Sequence, residues 1–86
     1  MEINKLIELV EKKILDQIKI DGIKIEDKSF LHQGHKENSK NKFHLKISIF
    51  SKELMNKSKV EVTKKIYKIL QIEMKEYIHS LQLIIN

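Results

Sequence analysis

Apolar residues near the start of the chain recur at three- and four-residue steps: Ile3, Leu6, Ile7, Val10, Ile14 and Ile18. That spacing winds one apolar stripe along a helix from about Glu2 to Gln17 and leaves Glu8, Glu11 and Lys12 facing water. Asp21 and Gly22 break the period, after which Ile23 and Ile25 alternate with Lys24 and Glu26 as a short half-buried strand. From Lys28 to Asn41 neither period holds, and Gly34, Asn38, Ser39 and interspersed charges predict a long polar loop. Phe43, Leu45, Ile47 and Ile49 then alternate with His44, Lys46 and Ser48, which predicts a second strand from about Lys42 to Phe50.

Ser51 is placed to cap a short helical turn through Met55. Ser58 and Glu61 have the spacing of a capping box, in which the hydroxyl bonds a backbone N–H and the carboxylate reaches back to the cap. A long helix is expected from there to near Tyr77, with Val62, Ile66, Ile69 and Leu70 as its buried stripe and Lys64, Lys65 and Lys68 on the other side. Leu81, Leu83 and Ile85 alternate with Ser80 and Gln82 as a third strand. The order is helix, strand, strand, short helix, helix, strand. Three short strands cannot bury both faces, so the expected fold is α+β, a three-stranded mixed sheet covered on one face by helices.

The chain has 86 residues, 41% of them hydrophobic, which suits a single domain over residues 1–86 and leaves too little for a second core. Its net charge of +5 comes entirely from lysine. Residues 1–27 carry five lysines against seven carboxylates, whereas residues 52–68 carry six lysines against Glu53 and Glu61, so the basic surface lies in the second half. Such a bias attracts phosphates or an acidic protein face, and it equally describes a solvated helix surface. The opening MEINKLIELVEKK mixes both charge signs into an apolar period, unlike a secretory signal or transit peptide, and the expected home is the cytoplasm. The longest apolar run, near Leu81 to Ile85, is far short of a membrane span.

No nucleophile elbow, P-loop, GxGxxG or paired-carboxylate pattern occurs, so the residues do not point to an enzyme. Cysteine is absent, and any metal must be held by imidazole, carboxylate or a thiolate lent by a partner. Four histidines stand out in a chain this small. His32 and His35 are three apart in the loop, with Gly34 between them to permit a sharp turn, so both imidazoles can approach one metal; a solvated loop histidine is the plainer reading. His79 shares its expected strand face with Leu81 and Leu83, which places it at the rim of the core. His44 opposes the apolar side of strand two and reads as a surface or structural residue.

From Ile25 to Leu83 the chain resembles the BolA family. The likeness is carried by the acidic strand end and serine of EDKSFLH, by His44-Leu45, by a strand closing on Ser51, by the helix segment IYKIL, and by Ile78-His79-Ser80-Leu81, where the family has valine or isoleucine, histidine, alanine, leucine. The resemblance implies a class II KH-like fold, although the glycine loop of RNA-binding K-homology domains is missing. It also implies a non-enzymatic partner of a monothiol glutaredoxin. In such a pair the glutaredoxin cysteine and a bound glutathione supply thiolates to a bridging 2Fe-2S cluster, while the BolA protein supplies a C-terminal histidine and a loop histidine or cysteine. His79 matches the first ligand position, and His32 the second, with His35 as its rival. The isolated protein is expected to hold no cofactor and to be a monomer or weak dimer. The cluster-bearing pair would serve iron-sulfur trafficking or iron sensing.

The alternative is a nucleic-acid-binding transcriptional regulator of the BolA type, with DNA as partner and Lys57, Lys59, Lys64, Lys65 and Lys68 as contacts. Here the chain departs from the family: Val62, Thr63 and Lys64 stand where arginine, histidine and arginine are common, and Asn56 takes the place of a turn glycine. Without arginine, bidentate reading of guanine is closed, leaving lysine and amide contacts.

Overall fold

The computed structural model describes residues 1–29 and 42–86, so nearly all of the expected loop, with His32 and His35, lies outside the described residues. Helix α1 (Ile3–Gln17) follows its apolar period, with Leu6, Val10 and Ile14 buried. It stops where Ile18 turns extended (φ −135°, ψ 137°), though the Ile18 N–H still donates to the Ile14 carbonyl at 2.9 Å. Strand β1 (Gly22–Asp27) then pairs antiparallel with β2 (Phe43–Phe50), Gly22 opposite Phe50 and Asp27 opposite Leu45.

Ser51 closes β2 and is buried. Its hydroxyl donates to the Lys19 carbonyl at 2.8 Å and accepts from the Leu54 N–H at 3.3 Å, where the short 3-10 turn Leu54–Asn56 begins. Ser58 caps the next helix, α2 (Lys59–Ile69), by accepting from the Glu61 N–H at 3.1 Å, the hydroxyl half of the expected capping box. After α3 (Gln71–Glu76) comes β3 (Ile78–Ile85), which pairs parallel with β2. The sheet order is β1-β2-β3, mixed. Two parallel strands cannot be joined by a hairpin, and the helical stretch between them is the required crossover.

The core forms where the stripes meet. Leu6, Val10 and Ile14 of α1, Val62 and Ile66 of α2, and Leu70 pack with Leu45, Ile47 and Ile49 on one face of β2, all at most 2% exposed. Each such side chain contributes about 1.5–3 kcal/mol relative to exposure. The opposite face of the sheet carries Lys24, Glu26, Lys46 and Ser48, so the α+β arrangement with helices on one face is the one expected from the pattern.

Two local expectations are corrected. The single helix to Tyr77 is two, because Leu70 adopts φ −99°, ψ 20° in the bridge region, and its N–H is shared between the Ile66 and Lys68 carbonyls. No glycine or proline marks the break. Its cause is tertiary: the change of axis buries Leu70 and Glu73 and turns Ile72 outward, 63% exposed, while α3 packs on β3. The second correction concerns β3, which begins at Ile78 and carries a bulge, Phe43 pairing with Ile78 but His44 with Ser80. His79 is the extra residue and is exposed, so it does not share the core-side face of Leu81 and Leu83.

Glu73 is only 2% exposed. Its Oε2 meets Lys13 Nζ of α1 at 2.6 Å, tying α3 to α1, while its Oε1 is buried without a hydrogen-bond partner among the described residues. Lys13→Ala would leave that carboxylate without its cation. The expected loss is about 2 kcal/mol, below the 3–5 kcal/mol of a fully buried pair because Lys13 remains about one-third exposed. The double change Lys13→Met with Glu73→Leu should match or exceed the parent, since a packed apolar pair replaces an incompletely satisfied ionic one. Urea denaturation of the three proteins measures both effects, and an alanine variant as stable as the parent would show the pair to be inert.

Candidate metal centre

Strands β2 and β3 run the same way, so their first residues lie side by side at one end of the sheet. Each opens on an apolar residue followed by histidine: Phe43-His44 and Ile78-His79. Phe43 donates its N–H to the Tyr77 carbonyl at 2.8 Å, which fixes the start of β3 against the start of β2. The bulge then turns His79 outward beside its neighbour. The two imidazoles meet edge to face, their centroids 4.9 Å apart and their planes inclined by 60°.

His44 is the anchored member. It lies on the sheet face away from the helices, yet is only 5% exposed. Its Nδ1 is 2.5 Å from Ser80 Oγ, and which atom donates follows the ring tautomer. Its backbone N–H donates to Ser29 Oγ at 3.1 Å, the Ser29 N–H to Asp27 Oδ1 at 2.9 Å, and the Lys28 N–H to the His44 carbonyl at 2.7 Å. The end of β1 and the starts of β2 and β3 are thereby knitted into one polar corner. The sequence reading of His44 as structural fits this network, whereas surface does not. The sequence feature that could have found it is the repeated apolar-histidine opening of two strands, which becomes a pair only once the strands are known to be parallel neighbours.

The corner offers one exposed imidazole on a held support. Among the described residues no group of three or more His, Cys, Asp or Glu side chains could hold a metal ion, so the donor set here is incomplete by itself. His79 suits the role of a ligand presented to another molecule, since it is exposed and its bulge position frees it from core packing. His32 and His35 lie outside the described residues, and their place relative to His79 is not described.

The five lysines of the nucleic-acid reading border three hollows, two of which share Lys59, and Lys64, Lys65 and Lys68 lie within about a turn of one another on α2. Lys65 and Lys68 line a cleft of about 550 Å³ between α1 and α2 with Lys13, Asp16, Gln17 and Ile69. Lys57 and Lys59 line a different one beside the end of β3, and Lys64 lies with Lys59, Val60 and Thr63 on the outer surface of α2.

A family model described as BolA-like protein matches residues 14–86. The chain belongs to the BolA-like family. Among solved structures, this BolA-like chain is similar to the BolA domain of SufE1 from Arabidopsis thaliana, with a TM-score of 0.78 and 24% identity over 100% of this chain and 93% of that one. It is also similar to BolA1 from Arabidopsis thaliana, with a TM-score of 0.76 and 23% identity over 92% and 87%, and to a Bol-like protein from Babesia bovis, with a TM-score of 0.69 and 15% identity over 91% and 79%. These likenesses show a shared BolA fold. No curated protein matches. Among the described residues of this BolA-like protein, no helix is long and apolar enough to cross a membrane.

Below the histidine corner, on the same open face, Glu26 stands opposite Lys46, with Lys28 Nζ at 3.4 Å and Lys24 Nζ at 3.8 Å. Burial pushes its pKa up, but the hydrogen bond from Lys28 and the charges of Lys24, Lys28 and Lys46 outweigh this and hold it below the usual glutamate value. A carboxylate whose folded pKa is depressed stabilises the fold above its unfolded pKa and loses that contribution as pH falls through the folded value. Glu26→Gln should therefore lower the thermal midpoint at neutral pH and flatten its decline on acidification through the carboxylate range. Parallel melting curves for the parent and this variant from pH 7 to about 3 check the sign. In the corner itself, Ser80→Ala should cost about 1–2 kcal/mol by stripping the His44 ring of its hydroxyl partner, read from the urea midpoint.

Proposed function

We propose that this BolA-like protein is a non-enzymatic adaptor that binds a monothiol glutaredoxin and lends imidazole ligands to a bridging 2Fe-2S cluster, in cytoplasmic iron-sulfur trafficking or iron sensing. The observation that carries the reading is His79: exposed on the β3 bulge, at a sheet end, with its ring against the buried and hydrogen-bonded His44. Because the chain lacks cysteine, thiolates come from the partner, one from its cysteine and one from glutathione.

His79 is the first ligand on this reading. His44, fixed through Ser80 and Ser29, is a positioning residue that limits the swing of the His79 ring. The second ligand is His32 or His35. His32 is three residues beyond Ser29, so about 11 Å of extended chain at most separates their Cα atoms, and Ser29 is part of the histidine corner. Neutral imidazoles in place of thiolates raise the reduction potential of the iron they bind and make its ligation sensitive to protonation. DNA binding has less support, since the guanidinium fork that reads guanine is absent.

Co-expression with a monothiol glutaredoxin, purification with glutathione and visible circular dichroism test the proposal. The parent pair should carry iron and a histidine-ligated cluster signature. His79→Ala should abolish or remake that spectrum while its far-ultraviolet spectrum stays native, and His32→Ala with His35→Ala should do the same. His44→Ala should shift the spectrum less. An unaltered visible spectrum in His79→Ala would overturn the assignment.

A further inference from the structure

The two edges of the sheet are defended differently. Exposed edges invite pairing by another chain, and proteins blunt them with charges, prolines or bulges. Edge strand β1 carries Lys24, Glu26 and Asp27, whereas β3 carries no charged residue at all. Its bulge lies at His79, and Leu81–Ile85 pairs with Leu45–Ile49 in unbroken register. The second half of β3 is thus an uncharged edge without a bulge.

A cleft of about 380 Å³ runs beside that half. Leu83, Ile84 and Ile85 of β3 and the following Asn86 line it; since alternate residues of a strand point to opposite faces, three strand residues in succession place the cleft along the backbone edge. Its other wall is Leu54, Met55 and Val62, and its rim is Lys57 and Lys59. Among the described residues, no aspartate or glutamate side chain lines it. Met55 is 68% exposed.

We infer that this edge is a docking site for an extended segment of a partner protein, added as a fourth strand beside β3, with alternate apolar side chains in the cleft and acidic residues against Lys57 and Lys59. Backbone groups of the edge supply affinity and the cleft supplies selection, the division of labour in strand addition. Charge selects the occupant. A second copy would bring together two chains of net charge +5, and a nucleic-acid strand would find no aromatic side chain in the cleft on which to stack. Six residue steps separate His79 from Ile85, about 20 Å of strand, so the site is distinct from the histidine corner and stands whether or not a cluster binds there.

The test is nuclear magnetic resonance on the full chain with two synthetic peptides, alternating valine and threonine flanked either by aspartate and glutamate or by lysine. The acidic peptide should shift the amide signals of Leu83, Ile84, Lys57 and Lys59 and slow hydrogen exchange along β3. Lys57→Glu with Lys59→Glu, both exposed positions, should weaken it about tenfold or more, while His79→Ala leaves binding unchanged. No perturbation of β3 at millimolar acidic peptide overturns the proposal, as does equal binding of the lysine-flanked peptide. Displacement of the acidic peptide by oligothymidine, or concentration-dependent dimerisation through β3 without peptide, would assign the edge to those occupants instead.

Discussion

Strands that run in the same direction must start at the same end of their sheet, and the parallel pairing of β2 with β3 is the constraint from which the rest of this molecule follows. It forbids a tight turn between them and so demands the crossover made by the 3-10 turn, α2 and α3. It lines Leu45, Ile47 and Ile49 up with Leu81, Leu83 and Ile85 as one apolar surface for the helices. It also sets His44 beside His79, two residues 35 positions apart in sequence whose proximity no local pattern specifies.

Much of the fold was legible because it rests on periodicity. The stripe of α1, the alternation of β2, the turn after Ser51 and the Ser58 cap all came from spacing and local hydrogen-bonding chemistry, and these need no knowledge of distant residues. What escaped was set by tertiary contact. Leu70 breaks the helix without a breaker residue, because burying Leu70 in the core and packing α3 on β3 outweighs continuing the helix axis. His79 leaves the face that alternation from Leu81 assigned to it, because one inserted residue reverses the parity of everything before it.

The candidate site was legible in part for the same reason. His79 stood out by residue type and by the run Ile78-His79-Ser80-Leu81, but its partnership with His44, Ser80 and Ser29 arises from strand order. The Lys13–Glu73 pair is another such case: each residue reads as an ordinary helix-surface charge, and only the folded arrangement, with α3 packed on β3 and Glu73 facing Lys13 of α1, puts the carboxylate inside.

The bulge has a further meaning for how this protein can change over time. If residue 79 were excised, Ile78, Ser80 and Leu81 would alternate inward, outward, inward without interruption, and β3 would be a more regular strand than it is. The ladder therefore has no need of a residue there, and the histidine is supernumerary to the architecture. On the proposed function, folding and ligand presentation are written into different residues of the same strand, which leaves the imidazole open to replacement by drift or selection while the scaffold beneath it keeps its shape.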